Sequence, residues 1–210
     1  VATTFKKLID TENEYNRRVD ALTWAFMFDI ERCFEGTRTF TTQGIDKPIL
    51  NLFRMYSHLG DRRLHFESSG AKAPLQYKDD HGKGEEPDID GIATMSGNQS
   101  VEVFLFCHHD DWDVGGEYEV EIEVANLPFD GDKVRLKHYR IDELHSNAHT
   151  EWVRQGRPKY PNPGQRRAIE SRQGLELYEP EAEVLLLDGK LRKKITLPVH
   201  SMSLLVITGL

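Results

Sequence analysis

The chain has 210 residues, is 38% hydrophobic and carries a net charge of −8 at neutral pH. That length can bury a sizeable core, while the acidic balance argues against nucleic acid or an anionic membrane surface, both of which call for clustered Lys and Arg. No apolar run approaches the roughly 18 residues a membrane span needs, and Val1 opens no secretion signal, which leaves the cellular location open.

Residues 4–19 place Phe5, Leu8, Ile9 and Val19 at helical intervals among charges, which predicts a surface helix with one apolar stripe. Ala21–Phe28, ALTWAFMF, is a continuous apolar run of eight, the length and character of a strand buried on both faces. Asp29–Thr42 is polar and irregular. Asp46 near a cap and Pro48 in a first turn then predict a second helix, with Ile49, Leu52, Phe53 and Tyr56 on one face and Gly60 ending it. Helix, buried strand, long loop and helix form the unit of a parallel α/β fold, yet only one such strand is present, and one unit cannot close a core.

Beyond Gly60 the pattern becomes antiparallel. Glu117–Val124, EYEVEIEV, alternates Tyr118, Val120, Ile122 and Val124 against four glutamates, and Val134, Leu136 and His138 alternate against Lys133, Arg135 and Lys137. These two are expected to pair as a hairpin across Asn126–Asp132, acidic face against basic face. Further strands are expected at Arg63–Ser68, Gly91–Met95, Val101–Cys107, Glu183–Leu187, Leu191–Leu197 and Ser203–Thr208, with a two-residue turn at Asp188-Gly189. Eight short strands separated by turn signals imply a two-sheet antiparallel sandwich. Lys78–Asp90 is a charged loop. The long excursion at 143–174, with a helix starting at Pro163, is expected to be functional or to pack on a neighbouring domain.

Several residues invite a chemical reading. Cys33 and Cys107 lie in different regions and predict buried thiols rather than a disulfide or a metal site. His108-His109-Asp110-Asp111-Trp112-Asp113 is rich in potential ligands but sits where one strand ends, whereas a zinc site needs ligands converging from separate elements, so it is read as a turn. His145 and His149 would be i, i+4 on a helix, but no glutamate completes an HExxH motif, and structural roles are expected for both.

The stretch Thr23–Met55, TWAFMFDIERCFEGTRTFTTQGIDKPILNLFRM, resembles the last strand, loop and helix of the catalytic barrel of glycoside hydrolase family 39, in particular its bacterial β-xylosidase branch. RIDELHSNAHTEWVRQG at Arg140–Gly156, followed by YPNPGQ and GLELYEP, resembles the connection in that family's accessory sandwich, and LPVHSMSLLVITG resembles its closing strand. The resemblance implies a mostly β chain: residues 1–60 as the last β/α unit of a (β/α)8 TIM barrel, and residues 61–210 as an antiparallel β-sandwich with a partly helical insertion. Family members are retaining glycosidases, whose two carboxyls stand about 5–5.5 Å apart. Those glutamates belong to barrel strands expected before Val1, so the chain by itself is expected not to hydrolyse glycosides.

By the same resemblance, Trp24 would line the subsite of the reacting sugar, where a flat aromatic face suits the C–H face of a pyranose. Glu31, or Asp29 in an alternative register, would accept hydrogen bonds from xylose hydroxyls. The implied activity is release of xylose from xylooligosaccharides, with no metal or organic cofactor; the implied partners are the substrate, the amino-terminal remainder of the barrel and a second copy of the chain. An iduronidase-like substrate would need a cation, for which Arg38 is the candidate. The alternative is a non-catalytic sandwich that binds carbohydrate or protein, using Trp112, Trp152 or Tyr160.

Overall fold

The computed structural model describes residues 1–18, 32–36, 39–74 and 86–210. The apolar run Ala21–Phe28 lies outside the described residues. Helix α1 (Ala2–Tyr15) ends earlier than its pattern suggests, at Asn16 in the left-handed conformation that often closes helices. Strands β1 (Thr41–Thr42) and β2 (Ile45–Asp46) form a small hairpin through Gln43 and Gly44, both at positive φ. Helix α2 (Pro48–Ser57) follows with proline in its first turn. Its N-cap is Lys47, next to Asp46, whose carboxylate is engaged by Arg54 at 2.5 Å.

Among the described residues, eight further strands make up the sandwich: β3 (Arg62–Arg63), β4 (Asp88–Ser96), β5 (Ser100–His108), β6 (Glu117–Val124), β7 (Lys133–Ile141), β8 (Glu176–Leu185), β9 (Leu191–Pro198) and β10 (Ser201–Gly209). Six of them form one antiparallel sheet in the order β3-β4-β5-β10-β7-β8, and β6 with β9 forms the facing pair. The chain is therefore mostly β, as its alternating segments imply.

Three expectations need correction. β6 pairs with β9 and not with β7, and residues 125–132 cross from one sheet to the other. Both candidate partners carry a basic row, so charge alone could not choose. The glutamates of β6 meet Lys190, Arg192 and Lys194, while Arg135 and Lys137 of β7 meet Glu181 on β8. The strand expected at Arg63–Ser68 is paired only at Arg62 and Arg63, after which Leu64 N–H donates to Ala93 O and the ladder stops. Finally, Asp88 and Asp90 belong to β4 and are buried, although they read as part of a solvated loop.

The turn at Asp188-Gly189 forms with both residues at positive φ, closed by a single Leu187–Lys190 bridge. Its two strands then enter different sheets. β8 begins seven residues earlier than predicted, because a glutamate-rich edge strand lacks the apolar alternation that marks strands facing a core.

β10 lies between β5 and β7, so the last strand in sequence occupies the sheet interior. One face of this sheet packs Val103, Leu105, Leu136, Leu205 and Ile207 against Ile122, Ile195 and Leu197 of the β6–β9 pair. The opposite face packs Phe104, Phe106 and Leu204 against Leu52 and Met55 of α2, with Ala2 of α1. β5 and β10 thus read as continuous apolar runs because both their faces are covered. Gly60 is needed where the chain leaves α2: a Cβ there would lie 2.2 Å from the Met95 carbonyl carbon.

Helices α3 (Ala148–Arg154) and α4 (Pro163–Glu170) occupy the long connection between β7 and β8. Asn147 caps α3, and Asn162 with Gln165 forms a capping box on α4. His145 precedes α3, so His145 and His149 do not share a helix face.

Candidate functional site

Trp24, Asp29 and Glu31, the residues expected to meet a sugar, and Arg38 lie outside the described residues. What is described is the anchorage immediately after them. Cys33 is fully buried and its N–H donates to Lys159 O at 3.1 Å. Phe34, at φ 56°, donates its N–H to Thr42 Oγ1 at 2.8 Å. The Phe34 ring lies 5.3 Å from the rings of both His149 and Trp152. Cys33, Ile45, Ala148, Trp152 and Ile169 form one apolar cluster, so the long connection fastens the segment that follows Glu31.

Trp152 is 6% exposed and its Nε1–H donates to Pro158 O at 3.0 Å, which removes it as a sugar platform and makes it a structural pin. A second tie joins the same regions: Asn51 of α2, buried, donates through Nδ2 to Ser146 O at 2.8 Å and to Gln173 O at 3.0 Å. His149 has its pKa lowered by burial and by Arg157, so it packs as a neutral ring.

Four polar clusters stand elsewhere. Lys7 of α1 reaches Asp90 at 2.8 Å and Asp88 at 3.1 Å, and Lys6 reaches Asp90 at 3.1 Å. The remaining capacity of these carboxylates is taken by backbone N–H groups of Lys72 and Gly91. Buried charges persist only when paired in this way, so the cluster clamps α1 to the edge of the sheet. At the end of α2, Glu102 is likewise buried and accepts from Thr94 Oγ1 and Gly60 N–H, with Ser100 Oγ as a further donor.

Within the sandwich, His138 faces Ser203 Oγ at 3.1 Å through Nε2 and Glu179 at 3.3 Å through Nδ1. The order Ser–His–Glu imitates a nucleophile and its relay, but Ser203 is fully buried and no substrate reaches it. Burial, helped by the Arg140 charge, pushes the His138 pKa down to about 4, so a neutral imidazole bridges β7, β8 and β10. Arg140 is 1% exposed; it donates to Thr196 O at 2.9 Å and lies 4.4 Å over the Tyr178 ring. The alternation of Val134, Leu136, His138 and Arg140 along β7 is the sequence signal for these two inward polar residues. Beyond β7, Asp142 accepts from the N–H groups of Leu144 and His145 and faces His145 Nδ1 at 2.9 Å, forming a side-chain-stabilised turn.

The segment 108–113 behaves as a turn. His108 Nε2 meets Asp110 at 2.9 Å, and Asp111 accepts from Asp113 N–H. Among the described residues no group of three or more His, Cys, Asp or Glu is placed to hold a metal. Two hollows stand among the described residues. An apolar cavity of about 310 Å³ lies between α1, α2 and β5, lined by Phe5, Leu8, Ile9, Tyr56 and Phe104. A wider cleft of about 1010 Å³ opens between residues 62–70 and β6.

The model of the family Glycosyl hydrolases family 39 matches residues 25–184. No functionally curated protein matches the chain in sequence. A monomeric β-xylosidase from Caulobacter crescentus CB15 superposes on 100% of this chain and 41% of its own, with a TM-score of 0.74 and 13% identity. The family 39 enzyme from Xanthomonas axonopodis pv. citri does so over 100% of this chain and 40% of its own, with a TM-score of 0.70 and 12% identity. A bacterial orthologue of human α-L-iduronidase covers 79% of this chain and 27% of its own, with a TM-score of 0.64 and 19% identity. Such identities establish a shared fold, and the chain spans less than half the length of each of these structures.

Proposed function

From the premise that this chain belongs to glycosyl hydrolase family 39, we propose that it is the carboxy-terminal part of a retaining β-xylosidase that releases xylose from xylooligosaccharides. The observation that carries the reading is the span of the family match, residues 25–184, which takes in the apolar run from the residue after Trp24 onward and the sandwich as far as β8. The β-xylosidase from Caulobacter crescentus CB15, whose fold covers the whole chain, supports the choice of xylosides.

In this reading residues 1–60 complete a barrel whose remainder carries the acid/base and the nucleophile, and residues 61–210 form the accessory sandwich. Trp24 lies against the apolar face of the bound xylose, and Glu31, or Asp29 in the alternative register, takes its hydroxyls. The pinning of Cys33 and Phe34 by α3 and by Lys159 gives the sugar wall a rigid base, since positioning groups act only if their support is itself fixed.

The test is turnover of an aryl β-xyloside by the complete polypeptide and by its Trp24→Ala, Glu31→Gln and Asp29→Asn variants, with an aryl α-L-iduronide in parallel. Loss of kcat/KM on the xyloside in Trp24→Ala and in one carboxylate variant is the expected result. Turnover of the iduronide alone would replace the xylosidase assignment, and undiminished turnover in all three variants would remove the sugar-wall roles.

A further inference from the structure

We propose that the loop between β5 and β6 is a carbohydrate-binding subsite on the sandwich, with Trp112 as its platform. The inference goes beyond the hydrolase reading, because it concerns a surface that needs no catalytic carboxylate.

Three aromatic residues in the sequence were candidates for such a platform, and the structure separates them. Trp152 is buried and hydrogen-bonded. Tyr160 is 75% exposed but makes no ring contact among the described residues. Trp112 is 82% exposed and yet fixed: its ring stacks on His200 at 5.3 Å and 24°. His200 is itself held at the β9–β10 turn, its N–H donating to Cys107 O at 2.8 Å, and its ring lies 6.2 Å from that of His108.

Part of the indole therefore lies against the His200 imidazole, nearly parallel to it, and most of the ring is open to solvent. A ring already held by a neighbour presents a flat apolar surface at low ordering cost.

The polar surroundings suit a polyhydroxylated ligand. The indole Nε1–H has no acceptor among the described residues and is a free donor. Asp113, next in sequence and exposed, has a carboxylate without a partner among the described residues, because only its backbone N–H is used. Asp110 meets His108 through one oxygen at 2.9 Å, and its second oxygen is an acceptor two residues from Trp112.

A pyranose offers an apolar C–H face flanked by hydroxyls that both donate and accept. An exposed indole that brings its own donor, with carboxylate acceptors two residues before it and one residue after it in the same loop, is complementary to that chemistry. The family acts on glycosides, so sugar polymers are the ligands this surface would meet.

The test is electrophoresis of the complete polypeptide through gels containing soluble xylan or, separately, soluble β-glucan. The proteins compared are the unaltered one and the Trp112→Ala, Trp112→Phe and Asp113→Asn variants. Retardation by at least one polymer is expected, weakened about fivefold to tenfold in Trp112→Ala, as the loss of one aromatic contact implies, and partly retained in Trp112→Phe. Acrylamide should quench a fluorescence component that Trp112→Ala lacks. Turnover of a small aryl xyloside should stay within about twofold in all variants; it reports separately on the hydrolase reading, so either can fail alone. Equal retardation of Trp112→Ala and the unaltered protein, no retardation by either polymer, or no quenchable component from Trp112 would each overturn the proposal.

Discussion

Leu204 offers the sharpest test of how the sandwich is covered. It is fully buried in β10, between β5 and β7, and faces Leu52 and Met55 of α2, whereas its neighbour Leu205 faces the core between the two sheets. Leu204→Ala removes three carbons, a transfer loss of about 2.4 kcal/mol at ~0.8 kcal/mol per carbon. The cavity left among Phe104, Phe106 and Met55 raises this toward the upper part of the usual range of about 2–5 kcal/mol, since aromatic rings held in a sheet collapse poorly into a void. Leu205→Ala should cost a comparable amount, because both faces are treated as true interior. The measurement is thermal unfolding of the complete polypeptide followed by near-ultraviolet circular dichroism, with amide exchange to localise the loosening. Leu204→Ala should speed exchange in α2 and β5, and Leu205→Ala in β6 and β9. A Leu204→Ala cost below about 1 kcal/mol would refute the claim that α2 seals a second core.

Three further outcomes are expected. The folded pKa of His138, about 4, lies below its ordinary 6.5, so the unfolded chain binds the extra proton first and stability falls as pH drops from about 6.5 toward 4; melting temperature against pH should show this slope, and His138→Gln should flatten it. Gly60→Ala should cost roughly 1–3 kcal/mol, because its methyl group would meet the Met95 backbone; a melting temperature equal to that of the unaltered protein would contradict this. Burial, with a contribution from Asp88, pushes the Cys107 thiol up to about 12, so iodoacetamide at pH 8 should leave it unmodified in the folded protein and alkylate it after denaturation, as read by peptide mass.

Local pattern made much of the chain legible. Proline followed by Ile49, Leu52 and Tyr56 marked α2, and the alternation in EYEVEIEV and VRLKH marked β6 and the inward course of β7. The two-residue turn at Asp188-Gly189 was equally readable, because positive φ at both positions is a local requirement. Less legible were elements whose stability comes from distant partners. Asp88 and Asp90 look like loop residues until Lys6 and Lys7, more than 80 positions away, neutralise them inside the sheet edge. Tyr160 and Trp152 are both aromatic residues of the long connection, and packing leaves one exposed and places the other under Phe34.

What the sequence determined by itself was its periods: helical spacing before Gly60, alternation after it, an acidic surface, and motifs that resemble one hydrolase family. Each of these depends on neighbours within a turn or a strand. Tertiary structure decided which strand meets which, placing β6 on β9 although β7 carries the same charges, and setting β10 between β5 and β7. It also decided that Trp112, rather than Trp152, stays exposed. Those choices rest on covering both faces of the central sheet at once, a constraint that a one-dimensional pattern does not contain.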